Sequence, residues 1–356
     1  MLTNQDWTST ATALIEGELR RLEVPGALVI VDQRDRDPFA VGIGLADIAT
    51  GAPMLLDGRV RVASITKSFT ATAALCLVDE VVVHLDDPVA EYLPHLPIEA
   101  SISIRHLLNM TSGIADYAET DGFLDGVAAE PHRVWAPEEL VEVAFAQPPV
   151  FAAGSSWQYS STNTILLGLV LEHVTGQQLH AVLRERVFAP LGMHDTSLPL
   201  RTENLLPDPH PRGYLPLGPG VPLVDATDWN PSWGWAAGSA VSTVRDLAVW
   251  ARALATGQLL GKSTRLAQLD WVATGAPFEH GTGTLRYGLG VADFGGLIGH
   301  NGQIPGFQAI AVYHPEHETA IVVVTNIMSS PIAVAGGEQP ADTIGYALAS
   351  LIDQEF

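Results

Sequence analysis

Apolar residues recur at helical spacing over residues 8–23, at Ala13, Leu14, Leu19 and Leu22, and the pattern stops before Pro25-Gly26. The β-branched run Ala27-Leu-Val-Ile-Val-Asp32 predicts a strand, and Phe39-Ala-Val-Gly-Ile-Gly-Leu45 predicts its hairpin partner. From Ser64 to about Asp79 the chain is almost wholly apolar, which predicts a buried helix. The middle of the chain has helical periodicity over 103–110, 137–146, 162–175, 177–187 and 243–256, separated by turns such as Pro148-Pro149 and Pro207-Asp-Pro-His-Pro211. Strand patterns return at Tyr287–Val291, Phe307–Tyr313 and Thr319–Asn326, and residues 340–353 predict a closing helix.

The order helix, strands, helices, strands, helix predicts a mixed α/β (α+β) fold. N- and C-terminal segments share one antiparallel sheet flanked by helices, with a mainly helical lobe inserted. A single domain over 1–356 is expected, its α/β part being 1–65 and 280–356 and its lobe 66–279. A cleft between sheet and lobe is the expected ligand site. Internal repeats are not evident.

Composition narrows the function classes. The net charge of −22 argues against nucleic acid and anionic membrane as partners, since both require basic patches. The opening residues lack a basic, apolar signal pattern, and no run of 18 apolar residues occurs, so a cytoplasmic location without membrane contact is expected. Cys76, the lone cysteine, cannot form an internal disulfide and reads as a small buried hydrophobe.

Only two lysines occur, and Lys67 lies three residues after Ser64 at the mouth of the apolar run. That separation places both side chains on one helix face. Burial and the positive end of the helix dipole both lower the amine's hold on its proton, and a neutral amine activates a serine nucleophile. Other candidates are Phe151-Ala-Ala-Gly154-Ser-Ser-Trp157-Gln-Tyr159-Ser160-Ser161-Thr-Asn163, Gly299-His300-Asn301-Gly302, and Ser103-Ile-Arg105-His106-Leu-Leu-Asn-Met-Thr111-Ser112-Gly113.

Together with Ser64/Lys67, these segments resemble the serine β-lactamase-like superfamily over about residues 20–330. The nearest branch looks like the Streptomyces-type D-alanyl-D-alanine carboxypeptidases, D-amino acid amidases, class C β-lactamases and family VIII esterases. The resemblance implies Ser64 as nucleophile, Lys67 as proton acceptor, Tyr159 as proton shuttle and His300 as the catalytic-site residue of the third motif. It further implies an oxyanion hole made by the backbone N–H groups of Ser64 and Gln303. Gly302 suits a close approach of substrate to backbone. Ser161, Asn301, Gly302, Trp233, Asp116 and Tyr117 are the candidate substrate contacts, and no metal or organic cofactor is implied.

Two departures bear on substrate. Ser161 stands where the family usually has an amide side chain, and Asn163 is an alternative two residues on. Downstream of Tyr287, Asp293 stands where a substrate carboxylate would want a cation, which disfavours strict carboxypeptidase activity. Asp116 or Asp225 is a candidate partner for a substrate ammonium. His314-Pro-Glu-His317 reads as a solvated turn and not as a metal site. The resulting expectation is a serine hydrolase of small amides, D-amino acid derivatives, peptides or esters, working through an acyl-enzyme. The alternatives are an acyltransferase or peptide cyclase using the same acyl-enzyme, and a non-catalytic binder of β-lactam or peptidoglycan ligands. Oligomeric state is open.

Overall fold

The computed structural model describes residues 4–218, 220–277, 284–329 and 337–355. Its centre is an antiparallel sheet whose core strands are β-branched and almost wholly buried. β1 (Gly26–Gln33), β2 (Phe39–Asp47) and β3 (Ala52–Pro53) form one side. β8 (Val272–Pro277), β9 (Thr284–Tyr287), β10 (Ala292–Phe294), β11 (Leu297–Ile304), β12 (Phe307–His314) and β13 (Thr319–Thr325) supply the rest. The order across the sheet is β3-β2-β1-β13-β12-β11-β10-β9-β8. First and last segments meet in the β1–β13 pair, where Ala27 faces Thr325 and Gln33 faces Thr319.

Strand alternation divides the core into two layers. Leu28, Ile30, Ala320, Val322 and Val324 face the helical lobe, with the helices Ile65–Asp79 and Val244–Thr256. Val29, Val31, Ile321 and Val323 face the opposite way, against the first helix Asn4–Arg21 and the closing helix Pro340–Glu355. Each Val, Leu or Ile side chain among them contributes about 1.5–3 kcal/mol when fully buried. Two covered faces explain why β13 reads as a continuous apolar run instead of an alternating one.

The structure moves three boundaries. β8 and the helix Val244–Thr256 lie on or in the sheet, so the sheet-associated part begins well before residue 280. Of the segment Tyr287–Val291 only Tyr287 is in a strand, as the last residue of β9; Gly288–Val291 is the turn between β9 and β10. Gly290 sits there at φ +71°, and a Cβ on it would lie 2.0 Å from the Cβ of Ala71, so the turn is pressed onto the buried helix. Conversely, Leu297–Ile304, which carries Gly299-His300-Asn301-Gly302 and shows no strand pattern of its own, is itself β11. No helix among the described residues is long and apolar enough to cross a membrane.

Two short ribbons stitch the lobe to the sheet. β4 (Val60–Arg61) pairs with β7 (Val241–Ser242), and β5 (Tyr214–Leu215) pairs with β6 (Val224–Asp225). Buried Arg61 donates to the carbonyl oxygens of Asn204, Thr227 and Trp229, which fixes the chain just ahead of Ser64.

Candidate active site

The chain turns sharply into the buried helix at Ala63, whose φ is +50°, a left-handed conformation that costs a non-glycine residue free energy. Ser64 follows at the N-cap without using its side chain as a cap. Its hydroxyl is therefore available, and Lys67 Nζ lies 2.9 Å from it. The amine also donates to the carbonyl of Ala237 at 3.0 Å. Thr66 and Thr70 hold the same segment, accepting from Ala240 N–H at 3.0 Å and donating to Ala236 O at 2.8 Å. Burial lowers the Lys67 pKa from 10.5 to about 8, and Asp116 opposes that shift.

Tyr159 arrives from the loop before the helix Ser161–Thr175. That loop is tied to the Thr111–Gly113 turn by Val150 N–H to Gly113 O, Gly154 N–H to Thr111 O and Gln158 N–H to Met110 O. The Tyr159 ring lies 4.9 Å from Lys67 Nζ, and burial pushes the phenol's pKa up while the nearby Ser64 side chain opposes that shift. Tyr159 is thus a neutral phenol, while Lys67 is the group whose proton is loosened.

Ser64, Lys67, Tyr159, Ser161, Asp116, Tyr117, Trp233 and Gln303 border one cavity of about 340 Å3. Its remaining wall is mostly apolar, with Leu124, Val127, Leu215, Trp229, Ile304 and Met328. Gly302 brings β11 against the nucleophile, since a Cβ there would sit 2.4 Å from the backbone nitrogen of Ser64. The Tyr117 hydroxyl donates to Trp233 O at 2.6 Å, which fixes both aromatic walls. Asp116 accepts from Ser161 N–H at 2.9 Å and Ala118 N–H at 3.0 Å, and exposed Glu119 adds a second carboxylate at the rim.

Several sequence expectations change. His300 does not line the cavity; it is buried behind Tyr159, with ring centroids 6.3 Å apart. Its Nδ1–H donates to Asn301 O at 2.6 Å, leaving Nε2 to accept from the Tyr287 hydroxyl at 3.1 Å. Desolvation lowers its pKa to about 4, so the ring is a neutral support with both nitrogens engaged. Asn301, next in the strand, points the other way and donates to Asp342 on the closing helix at 2.6 Å. It is not a substrate contact.

Asn163 is fully buried, accepting from Ser112 Oγ at 2.6 Å, so Ser161 is the residue at the cavity. Asp293 is paired with Arg286 and accepts from Gly296 N–H at 2.6 Å, so it presents no free charge to a ligand. Asp225 is likewise engaged, by Thr227 and Arg212, away from the cavity. Nor is the His314–His317 turn simply solvated: His314 is buried, and both rings bond Asp353. Sequence reasoning missed Tyr287 as the support of His300 and the Ala237 carbonyl as the second partner of Lys67. Neither carries a local signal, because both reach the site from distant segments.

The family model described as Beta-lactamase matches residues 11–342. Esterase EstB of Burkholderia gladioli is 36% identical over 197 residues, covering 51% of this chain and 49% of the esterase. The chain spans about half to two thirds of the length of its sequence relatives. Among solved structures, D-amino acid amidase from Ochrobactrum anthropi SV3, complexed with D-phenylalanine, superposes with a TM-score of 0.85 at 28% identity, covering 99% of this chain and 100% of that one. A D-stereospecific amidohydrolase from Streptomyces sp. gives a TM-score of 0.79 at 32% identity, covering 90% and 95%.

Proposed function

The chain belongs to the beta-lactamase family, and from that premise we propose that it is a serine hydrolase forming an acyl-enzyme on Ser64 and cleaving small amides, D-amino acid derivatives or esters. The observation that carries this reading is the 2.9 Å contact between Ser64 Oγ and a buried lysine whose pKa is lowered to about 8, at the wall of a cavity.

In this reading neutral Lys67 takes the proton of Ser64 as Oγ attacks the substrate carbonyl. The negative charge that develops on the carbonyl oxygen is held by the N–H groups of Ser64 and Gln303. The Tyr159 hydroxyl, at the same cavity as Ser64, relays a proton to the departing amine or alcohol. Water then attacks the ester carbonyl, gives up its proton through the same groups, and restores Ser64. His300 keeps Tyr159 in place and exchanges no proton, since its pKa of about 4 leaves it neutral at working pH.

The cavity's chemistry supports the substrate class. Apolar walls from Trp229, Trp233, Leu124 and Val127 suit a bulky acyl side chain, and Asp116 with Glu119 suits an α-ammonium. The resemblance to amidases of D-configured substrates points the same way. A fluorescent phosphonate should label the wild-type chain and spare Ser64→Ala; equal labelling of both sinks the assignment of the nucleophile. A panel of p-nitrophenyl esters, D- and L-amino acid amides, D-Ala-D-Ala peptides and nitrocefin then orders the substrates. Product analysis with added amine separates hydrolysis from acyl transfer.

A further inference from the structure

On the far side of the sheet from the nucleophile helix, β12 ends at His314, and the turn Pro315-Glu316-His317-Glu318 leads into β13. The last turn of the closing helix brings Asp353 against that turn. His314 Nε2 lies 2.9 Å and His317 Nε2 3.1 Å from the same Asp353 Oδ1. The two rings are 4.5 Å apart between centroids, and one ligand atom from each of the three residues falls within 4.8 Å of the others.

We propose that His314, His317 and Asp353 form a binding site for one zinc ion, which clasps the β12–β13 turn to the closing helix. Zinc bonds imidazole nitrogen at about 2.0–2.1 Å and carboxylate oxygen at about 2.0–2.2 Å, so adjacent donors of a tetrahedral site stand about 3.3 Å apart. The two observed N–O separations need widening by only a few tenths of an ångström to reach that edge. The donor set also fits the metal: neutral imidazole and carboxylate suit zinc, and three protein ligands leave one position for water. Each ring then carries its proton on Nδ1 and gives Nε2 to the ion.

Position and charge agree with a structural role. His314 is held at a strand end with 11% of its side chain exposed, whereas Asp353 is 55% exposed, so an ion can enter from solvent. The net charge of −22 favours a bound cation. None of the three residues lines the Ser64 cavity, so the site stands apart from the proposed chemistry.

The test uses the full chain, stripped with chelator and titrated with Zn2+. Equilibrium dialysis with elemental analysis should give one tightly held zinc per chain, and saturating zinc should raise the melting temperature by several degrees, because it binds the folded form. Both effects should vanish in His317→Ala and Asp353→Asn, whose side chains are partly exposed and whose folding is therefore least at risk. His132→Ala, elsewhere on the surface, should retain them. The proposal is overturned by equal zinc content and equal melting shifts in wild type and the two site variants, or by no retained zinc at micromolar free metal. Hydrolytic turnover of either variant should stay within about twofold of wild type.

Discussion

Lys67 Nζ lies 2.9 Å from Ser64 Oγ and 3.0 Å from the Ala237 carbonyl, and burial brings its pKa from 10.5 to about 8. Only the neutral amine accepts the serine proton, so kcat/KM should follow the neutral fraction of the free enzyme. That fraction is about 1% at pH 6, about 10% at pH 7 and about 90% at pH 9 for a pKa of about 8. The rate constant should therefore climb about tenfold per pH unit below pH 8 and level off above pH 9. Lys67→Arg retains the charge but cannot release it in this range. It should lose the slope together with about 10²- to 10⁴-fold in rate, or about 3–5 kcal/mol of transition-state stabilisation.

The assay is pH-stat hydrolysis of a p-nitrophenyl ester from pH 6 to 9.5, normalised to active sites counted with the phosphonate. A flat wild-type profile, or Lys67→Arg within tenfold of wild type at pH 7, would refute the role of the amine. The same shift bears on stability. Unfolded lysine keeps its proton to about pH 10.4, and the folded one only to about 8. Between those values the unfolded chain binds more protons, so stability rises with pH, and below pH 8 the buried charge costs about 3 kcal/mol.

Gly302→Ala places a Cβ 2.4 Å from Ser64 N, so the oxyanion donors should be displaced and kcat should fall by about 10²-fold or more in steady-state assays; near-normal kcat would mean that β11 does not form the hole. Tyr287→Phe leaves His300 Nε2 buried without a donor, which should lower stability by about 1–3 kcal/mol in urea melts while the fold persists. Burial raises the Asp342 pKa from 3.8 to about 7, opposed by the Asn301 hydrogen bond. The folded chain then binds the extra proton between those values, so this contribution is full at low pH and lost as pH rises through 7. Asp342→Asn should accordingly stabilise by up to about 4 kcal/mol at pH 8 and change little near pH 4, as read by denaturant titration at both pH values. Glu119→Gln should raise KM several-fold for amino acid amides and leave p-nitrophenyl acetate unaffected, a difference of about 1 kcal/mol for an exposed pair.

The sequence by itself determined the elements whose signal is local. The buried helix after Ser64, the strands of 27–32, 307–313 and 319–326, and the helices of 137–146 and 243–256 all follow from runs long enough for apolar periodicity to decide. Ser64 and Lys67 were legible because three residues on a helix fix their neighbourhood before any tertiary contact forms. β11 was not, since Gly299, Asn301 and Gly302 are poor strand formers, and its place depends on pairing with β12. Gly288–Val291 departs from its strand pattern for the opposite reason, as a segment with strand-like composition that packing against Ala71 bends into a turn.

What only the tertiary structure decided is which side chains look into the cavity. One residue of strand register separates His300, braced by Tyr287 on the Tyr159 side, from Asn301, turned to Asp342 on the other face. Helix geometry likewise sends Asn163 inward to Ser112 and leaves Ser161 at the opening. A partner such as Ala237 O, 170 residues from Lys67, cannot be seen along the chain. Local pattern fixes backbone conformation through short-range sterics and burial, whereas contacts between distant segments depend on how sheet and lobe pack together, and the ionisation of Lys67, His300 and Asp342 depends on the burial that packing creates.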